Sequence, residues 1–271
     1  MEPLPEPQRD YEPIQPEPAW RSLARKLLAP LAALGVILYK FKFLIFAVAK
    51  FKVFTVAASM IVSVGAYALL GGWWFGVGLV GLIFVHEIGH VIELRRQGIP
   101  ASAPLFIPFL GAFVGMKQMP KNAWKEAQVA LAGPLLGTAG AAGVWIVGVA
   151  LDSNFLKAMA FIGFLINLFN LLPIVPLDGG RAVAALHPSI WIAGLAGLGA
   201  MAYFFPNPIL LIVLLLGAME AWQRWRTRNA PELQEYYRVK PWQRAAVATV
   251  YLGLAAFLVL AMNATHVPRH F

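Results

Sequence analysis

The chain has 271 residues, 59% of them hydrophobic and 13% charged, with a net charge of +9. It is too apolar for an ordinary soluble domain of this length and reads as a membrane protein. It has no cysteine, which excludes disulfides and thiolate metal sites and leaves imidazole and carboxylate as ligands for any transition metal. The basic residues cluster at the ends of apolar runs, so the charge reports membrane orientation and not a nucleic-acid surface.

Residues 1–19 (MEPLPEPQRDYEPIQPEPA) are rich in Pro and Glu and read as a disordered tail, with no apolar core of a cleavable signal peptide. Residues 20–52 form a basic juxtamembrane segment. Within it, Leu27 to Ala49 is interrupted by Pro30, Lys40 and Lys42 and fits an amphipathic stretch lying in the interface. A span of the hydrocarbon core needs roughly 20 apolar residues. The first two candidates are Val53 to Leu70 and Trp73 to Leu94.

The second candidate contains FVHEIGH, whose His86-Glu87-Ile88-Gly89-His90 matches H-E-x-x-H. On a helix, residues four apart share a face, so both imidazoles can reach one Zn²⁺ while Glu87 sits beside them as a candidate general base. An unpaired Glu in hydrocarbon costs at least about 2.5–3.5 kcal/mol, which argues against a purely structural role. Two histidines leave the site a ligand short, because catalytic zinc usually takes three protein ligands.

The next segment, Pro100 to Pro120, is apolar but too short and too rich in Pro and Gly to span. It reads as a re-entrant or interfacial hairpin; irregular backbone at membrane depth is tolerated only where it is buried in protein or lines a wet cavity. A loop resting on the membrane surface is the alternative. Ala127 to Leu151 and Phe155 to Leu172 are the third and fourth spans, and the fourth runs into NLLPIVPLDGGR, Asn170 to Arg181. There Pro173 and Pro176 interrupt the helix, Gly179-Gly180 permits a sharp turn, and Asp178 is the candidate third ligand. At about 1.5 Å per residue, His90 lies roughly 7 to 8 Å inside Arg95. Asp178 precedes Arg181 by three residues, so the two motifs meet near one face.

Ile190 to Phe205 and Ile209 to Trp222 form a hairpin around Pro206-Asn207-Pro208, residues 223–244 are a connector, and Ala245 to Ala264 is the last span. The GLAGLGA stretch from Gly194 fits helix packing better than a nucleotide loop, and Trp73, Trp74, Trp222 and Trp225 fit interfacial belts. The expected fold class is all-α, a polytopic membrane protein with six or seven transmembrane helices and a re-entrant hairpin loop. Its divisions are 1–19, 20–52, a catalytic membrane core 53–188, and C-terminal helices 189–271. If the first span starts inside, 20 of the 22 Lys and Arg fall on cytoplasmic segments, which supports a cytoplasmic N-terminus and an outside C-terminus.

Taken together, FVHEIGH on one span, AGP at Ala132 to Pro134 on the next, and NLLPIVPLDGG after it resemble the site-2 protease family of intramembrane zinc metalloproteases, over roughly residues 53–185. The resemblance implies His86, His90 and Asp178 as zinc ligands, Glu87 as catalytic base and Asn170 as a holder of the unwound substrate backbone. It equates the loop around Phe109 to Gly115 with a hairpin that guides substrate toward the zinc, where an edge can pair with an extended peptide. The family pattern often has Asn three positions after AGP, where this chain has Gly137. The loop from Arg95 to Ala127 is too short for an inserted PDZ domain, and no soluble regulatory domain of about 100 residues is expected at the C-terminal end.

The function expected is cleavage of a membrane-anchored protein substrate within or near its transmembrane segment, in the lipid bilayer and toward its cytoplasmic face, with no nucleic-acid partner. A metal transporter is the rival from another class. It is disfavoured because the motifs sit near one face and no internal repeat is visible. An inactive scaffold of the same fold is the third reading, and the intact Glu87 argues against it.

Overall fold

The computed structural model describes residues 36, 39, 53–187, 189–226 and 230–265. The chain divides into residues 1–53 and 54–271, and nearly everything described belongs to the second unit. The Pro/Glu-rich tail and the amphipathic segment, except Val36 and Tyr39, lie outside the described residues, as do His266, His270 and the side chain of Trp225.

The described fold is mostly helical. Among the described residues, four helices are long and apolar enough to cross a membrane: α1 (Val53–Gly71), α2 (Trp73–Arg96), α3 (Ala123–Ala150) and, after the elements below, α9 (Pro241–Thr265). Between α2 and α3 lies an antiparallel hairpin, β1 (Leu105–Ile107) and β2 (Gly111–Phe113), with Leu105 opposite Phe113 and Ile107 opposite Gly111. The Pro100–Pro120 segment thus contains a two-stranded β-hairpin. Next come α4 (Asn154–Asn170), α5 (Asp178–Val183), α6 (Ile190–Phe204), α7 (Pro208–Arg226) and the six-residue α8 (Pro231–Tyr236). At 1.5 Å per residue, the 17 residues of α4 reach about 25 Å and the 15 of α6 about 22 Å, both short of a hydrocarbon core of about 30 Å.

Local chemistry accounts for the boundaries. The Gly72 junction between α1 and α2 has φ of 83°, a left-handed conformation that glycine adopts without steric cost. Helix α3 starts four residues earlier than the apolar run because Asn122 caps it, its side chain accepting from the Lys125 backbone N–H at 3.0 Å. Ser153 caps α4 in the same way. Helix α4 stops at Asn170, ahead of Pro173 and Pro176. The Gly179-Gly180 pair, however, opens a short helix and does not make a sharp turn. A Cβ at 179 would lie 2.1 Å from the Leu171 carbonyl oxygen, so this glycine serves close approach of two backbone segments.

Helix α3 is the hub, packed against α2, α4, α5 and α9, and α5 also touches α6 and α9. In lipid there is little hydrophobic drive between helices, so small residues that let backbones approach do much of the holding. The α2–α3 crossing uses this device: a Cβ on Gly89 would fall 2.3 Å from the Ala132 carbonyl oxygen. In the GLAGLGA stretch only Gly194 is used so, against Pro173, while Gly197 and Gly199 face open space. Outer faces are apolar and exposed, with Leu69 at 85%, Trp74 at 78% and Ile192 at 70%. The interior instead holds His86, Glu87, His90, Glu126, Asn167 and Asp178.

Candidate metal centre

His86, Glu87 and His90 lie on the buried face of α2, and Asp178 is the first residue of α5. The fold brings the two motifs, 92 positions apart, into contact. His86 Nε2 is 3.0 Å from Asp178 Oδ2, His90 Nε2 is 3.2 Å from the same oxygen, and the two Nε2 atoms are 3.1 Å apart. The rings meet edge to face with centroids 4.9 Å apart.

Their outward nitrogens define the protonation. His86 Nδ1 faces Asn167 Oδ1 at 2.8 Å, and Asn167 Nδ2 donates to the Gly163 carbonyl at 2.8 Å, so the amide presents its oxygen to the imidazole. His90 Nδ1 faces the Val129 carbonyl at 2.9 Å. Both partners can only accept, so both Nδ1 atoms carry hydrogen, and in the neutral imidazole, the form that binds a metal, this leaves the Nε2 lone pair turned inward. In that form two Nε2 lone pairs and a carboxylate oxygen converge, a group that could hold a metal ion. Ligand atoms about 2.0–2.1 Å from a tetrahedral Zn²⁺ lie about 3.3 Å apart, close to the separations found here. The donor set, two imidazoles and a carboxylate, suits zinc.

The site borders a cavity of about 340 Å³ lined by His86, Glu87, His90, Asp178, Asn170, Arg181 and residues of the β1–β2 hairpin. Glu87 is 8% exposed and next in sequence to His86. Asn170 ends α4 at the wall of the same cavity. His187, the remaining described histidine, is exposed, and its Nδ1 accepts from the Ser189 backbone N–H. It takes no part in the cluster.

Two features escaped the sequence reading. Asn167, three residues before Asn170, holds His86. The signal available was an amide on an apolar span, which demands a partner. Its room comes from Gly137: a Cβ there would sit 2.3 Å from Asn167 Oδ1. The position that often carries Asn in the resembled family is thus empty here, and α4 delivers an amide into that space. Gly133 of the AGP triplet has a matching role, since a Cβ there would fall 2.2 Å from His90 Nε2.

Comparison with known proteins finds similarity to zinc metalloproteases. Residues 74–153 and 150–191, a stretch that contains both motifs, match the model of peptidase family M50. Rip3 of Mycobacterium tuberculosis, whose name describes a zinc metalloprotease, is 34% identical over 137 residues, covering 45% of this chain and 34% of that protein. A zinc metalloprotease of Methanocaldococcus jannaschii is 28% identical over 109 residues, 38% of this chain and 31% of that one. The chloroplastic EGY1 of Arabidopsis thaliana, also named as a zinc metalloprotease, is 25% identical over 238 residues, 68% of this chain and 41% of its own length. The chain therefore spans between about a third and two fifths of the length of these relatives.

Proposed function

We propose that this chain is an intramembrane zinc metalloprotease that hydrolyses peptide bonds within or near the transmembrane segment of membrane-anchored protein substrates. The observation that carries the reading is the convergence of three potential metal-ligand atoms 3.0–3.2 Å apart beside a buried glutamate, in a cavity walled by a β-hairpin. In this reading His86, His90 and Asp178 hold Zn²⁺, residues 53–188 are the catalytic core, and the helices of 189–271 buttress it. When bound, the metal lowers the pKa of water to about 7 and polarises the scissile carbonyl.

The chain's own residues do the rest. The Nδ1–H groups of His86 and His90 are held by Asn167 and Val129, which keeps both lone pairs on target and raises their basicity. Glu87 takes a proton from the attacking water and returns it to the leaving amine nitrogen. A helical peptide bond hides its carbonyl, so the substrate must be unwound; a β-strand edge of the hairpin offers main-chain pairing to the extended segment, and Asn170 offers its amide to the substrate backbone. The concentration of Lys and Arg on one set of loops supports an odd number of crossings and a site facing the cytoplasm with the N-terminus on that side.

Purified protein carrying Glu87→Gln is expected to bind zinc like the wild type and to leave a model transmembrane substrate uncut in detergent micelles. Cleavage by that variant at the wild-type rate overturns the reading.

A further inference from the structure

Helix α5 has six residues, its N-cap Leu177 offers no side-chain cap, and its first backbone bond, Arg181 N–H to Leu177 O, is long at 3.4 Å. So short a helix does not hold itself. Two of its residues are glycines, with the backbone freedom that entails. Yet Asp178 must present one oxygen to two imidazoles within a few tenths of an ångström. Its position has to be set from outside.

Two chains of contact reach α5 from the connector between α7 and α9. In the first, Tyr236 Oη donates to Glu126 Oε2 at 2.7 Å, and Glu126 Oε1 accepts from Arg181 Nε at 3.1 Å. Glu126 is 2% exposed, in the first turn of α3, and Arg181 is three residues after Asp178. Burial and the neighbouring Glu126 carboxylate hold the Tyr236 phenol well above its ordinary pKa, so it remains a donor. In the second, Trp191 Nε1 donates to the Gly180 carbonyl at 2.6 Å. The Trp191 ring meets Tyr237 edge-on at 6.3 Å and carries the Arg224 guanidinium 4.6 Å above its face, while Arg224 also donates to the Tyr237 hydroxyl.

We infer that the cytoplasmic connector positions the candidate metal ligand: Tyr236, through Glu126 and Arg181, and Tyr237, through Trp191 and Gly180, clamp the turn that carries Asp178. Neither tyrosine touches the metal site. Each is a positioning residue, and whatever displaces α8 loosens the site. The inference rests on the metal reading above, and it extends that reading to a segment with no motif of its own.

The test uses the full chain in detergent micelles, with Tyr236→Phe and Tyr237→Leu, which removes the ring against Trp191, compared against Tyr203→Phe, a change on the exposed outer side of α6. Zinc release to a chelator is followed by a metal-sensitive dye. Amide hydrogen exchange is measured across residues 178–183 in metal-free protein. Losing a partner next to a ligand lowers metal affinity about 10- to 100-fold, so a contact one step further out is expected to speed zinc release about three- to tenfold. Exchange at 178–183 is expected to quicken by a similar factor while α2 is unchanged, and Tyr203→Phe is expected to match the wild type. Because Tyr236 acts through Glu126, Tyr236→Phe is expected to add little in a Glu126→Gln background. Wild-type exchange at 178–183 in both tyrosine variants overturns the clamp, as does a fall in melting temperature with zinc release unaltered. A wild-type protein that binds no zinc overturns the metal reading instead, and the metal-free exchange still decides the clamp.

Discussion

Helices α1 and α2 are neighbours of similar apolarity, both long enough to span, yet 56% of the apolar window of α2 is buried against 11% for α1. The difference lies in what wraps them. Helix α2 is covered by α3 and α4, which meet its histidines with the Val129 carbonyl and the Asn167 amide, whereas α1 shows Ile61, Val62, Leu69 and Leu70 outward. Apolarity decides that a helix enters the membrane. It says nothing about which face meets lipid and which meets a partner. Ionisable groups settle on the covered helix because only there are hydrogen-bond partners and a wet cavity within reach.

The contrast breaks most completely if the cluster itself is dismantled. Asp178→Asn removes the one carboxylate among the three candidate ligands, and zinc affinity measured by chelator competition is expected to fall by more than the roughly hundredfold that loss of an outer partner can cause. A smaller loss follows from cutting the second layer. Asn167→Leu leaves the His86 Nδ1–H facing an apolar group, and a decrease of about 10- to 100-fold in zinc affinity is expected, with zinc still bound at saturating metal. The smallest effect belongs to α1: Ile61→Ala on its exposed face is expected to shift stability by within about 0.5 kcal/mol and to leave zinc affinity unchanged. An α1 substitution as damaging as Asn167→Leu removes the distinction between the two helices.

The hairpin at 100–120 was legible because its Pro and Gly content forbids a span and its apolarity forbids an ordinary loop. Its register was not. Pairing of Leu105 with Phe113 depends on a two-strand geometry that alternation over three residues cannot specify. Gly179-Gly180 was misjudged for a related reason: glycine signals either a turn or a close approach, and only the Leu171 carbonyl packed against it distinguishes them.

Sequence alone was enough for the mostly helical membrane class and for singling out His86, His90 and Asp178 as candidates, because composition and fixed-spacing motifs are local or read directly along the chain. Tertiary structure decided which amide holds His86, why positions 133 and 137 are glycine, and that the connector's tyrosines reach the Asp178 turn. Those facts depend on residues brought together from separate helices, 81 positions apart for His86 and Asn167 and 110 for Tyr236 and Glu126. Helical periodicity fixes what shares a face within one element. The rotation of one helix against another is set by packing, and packing is a property of the whole fold.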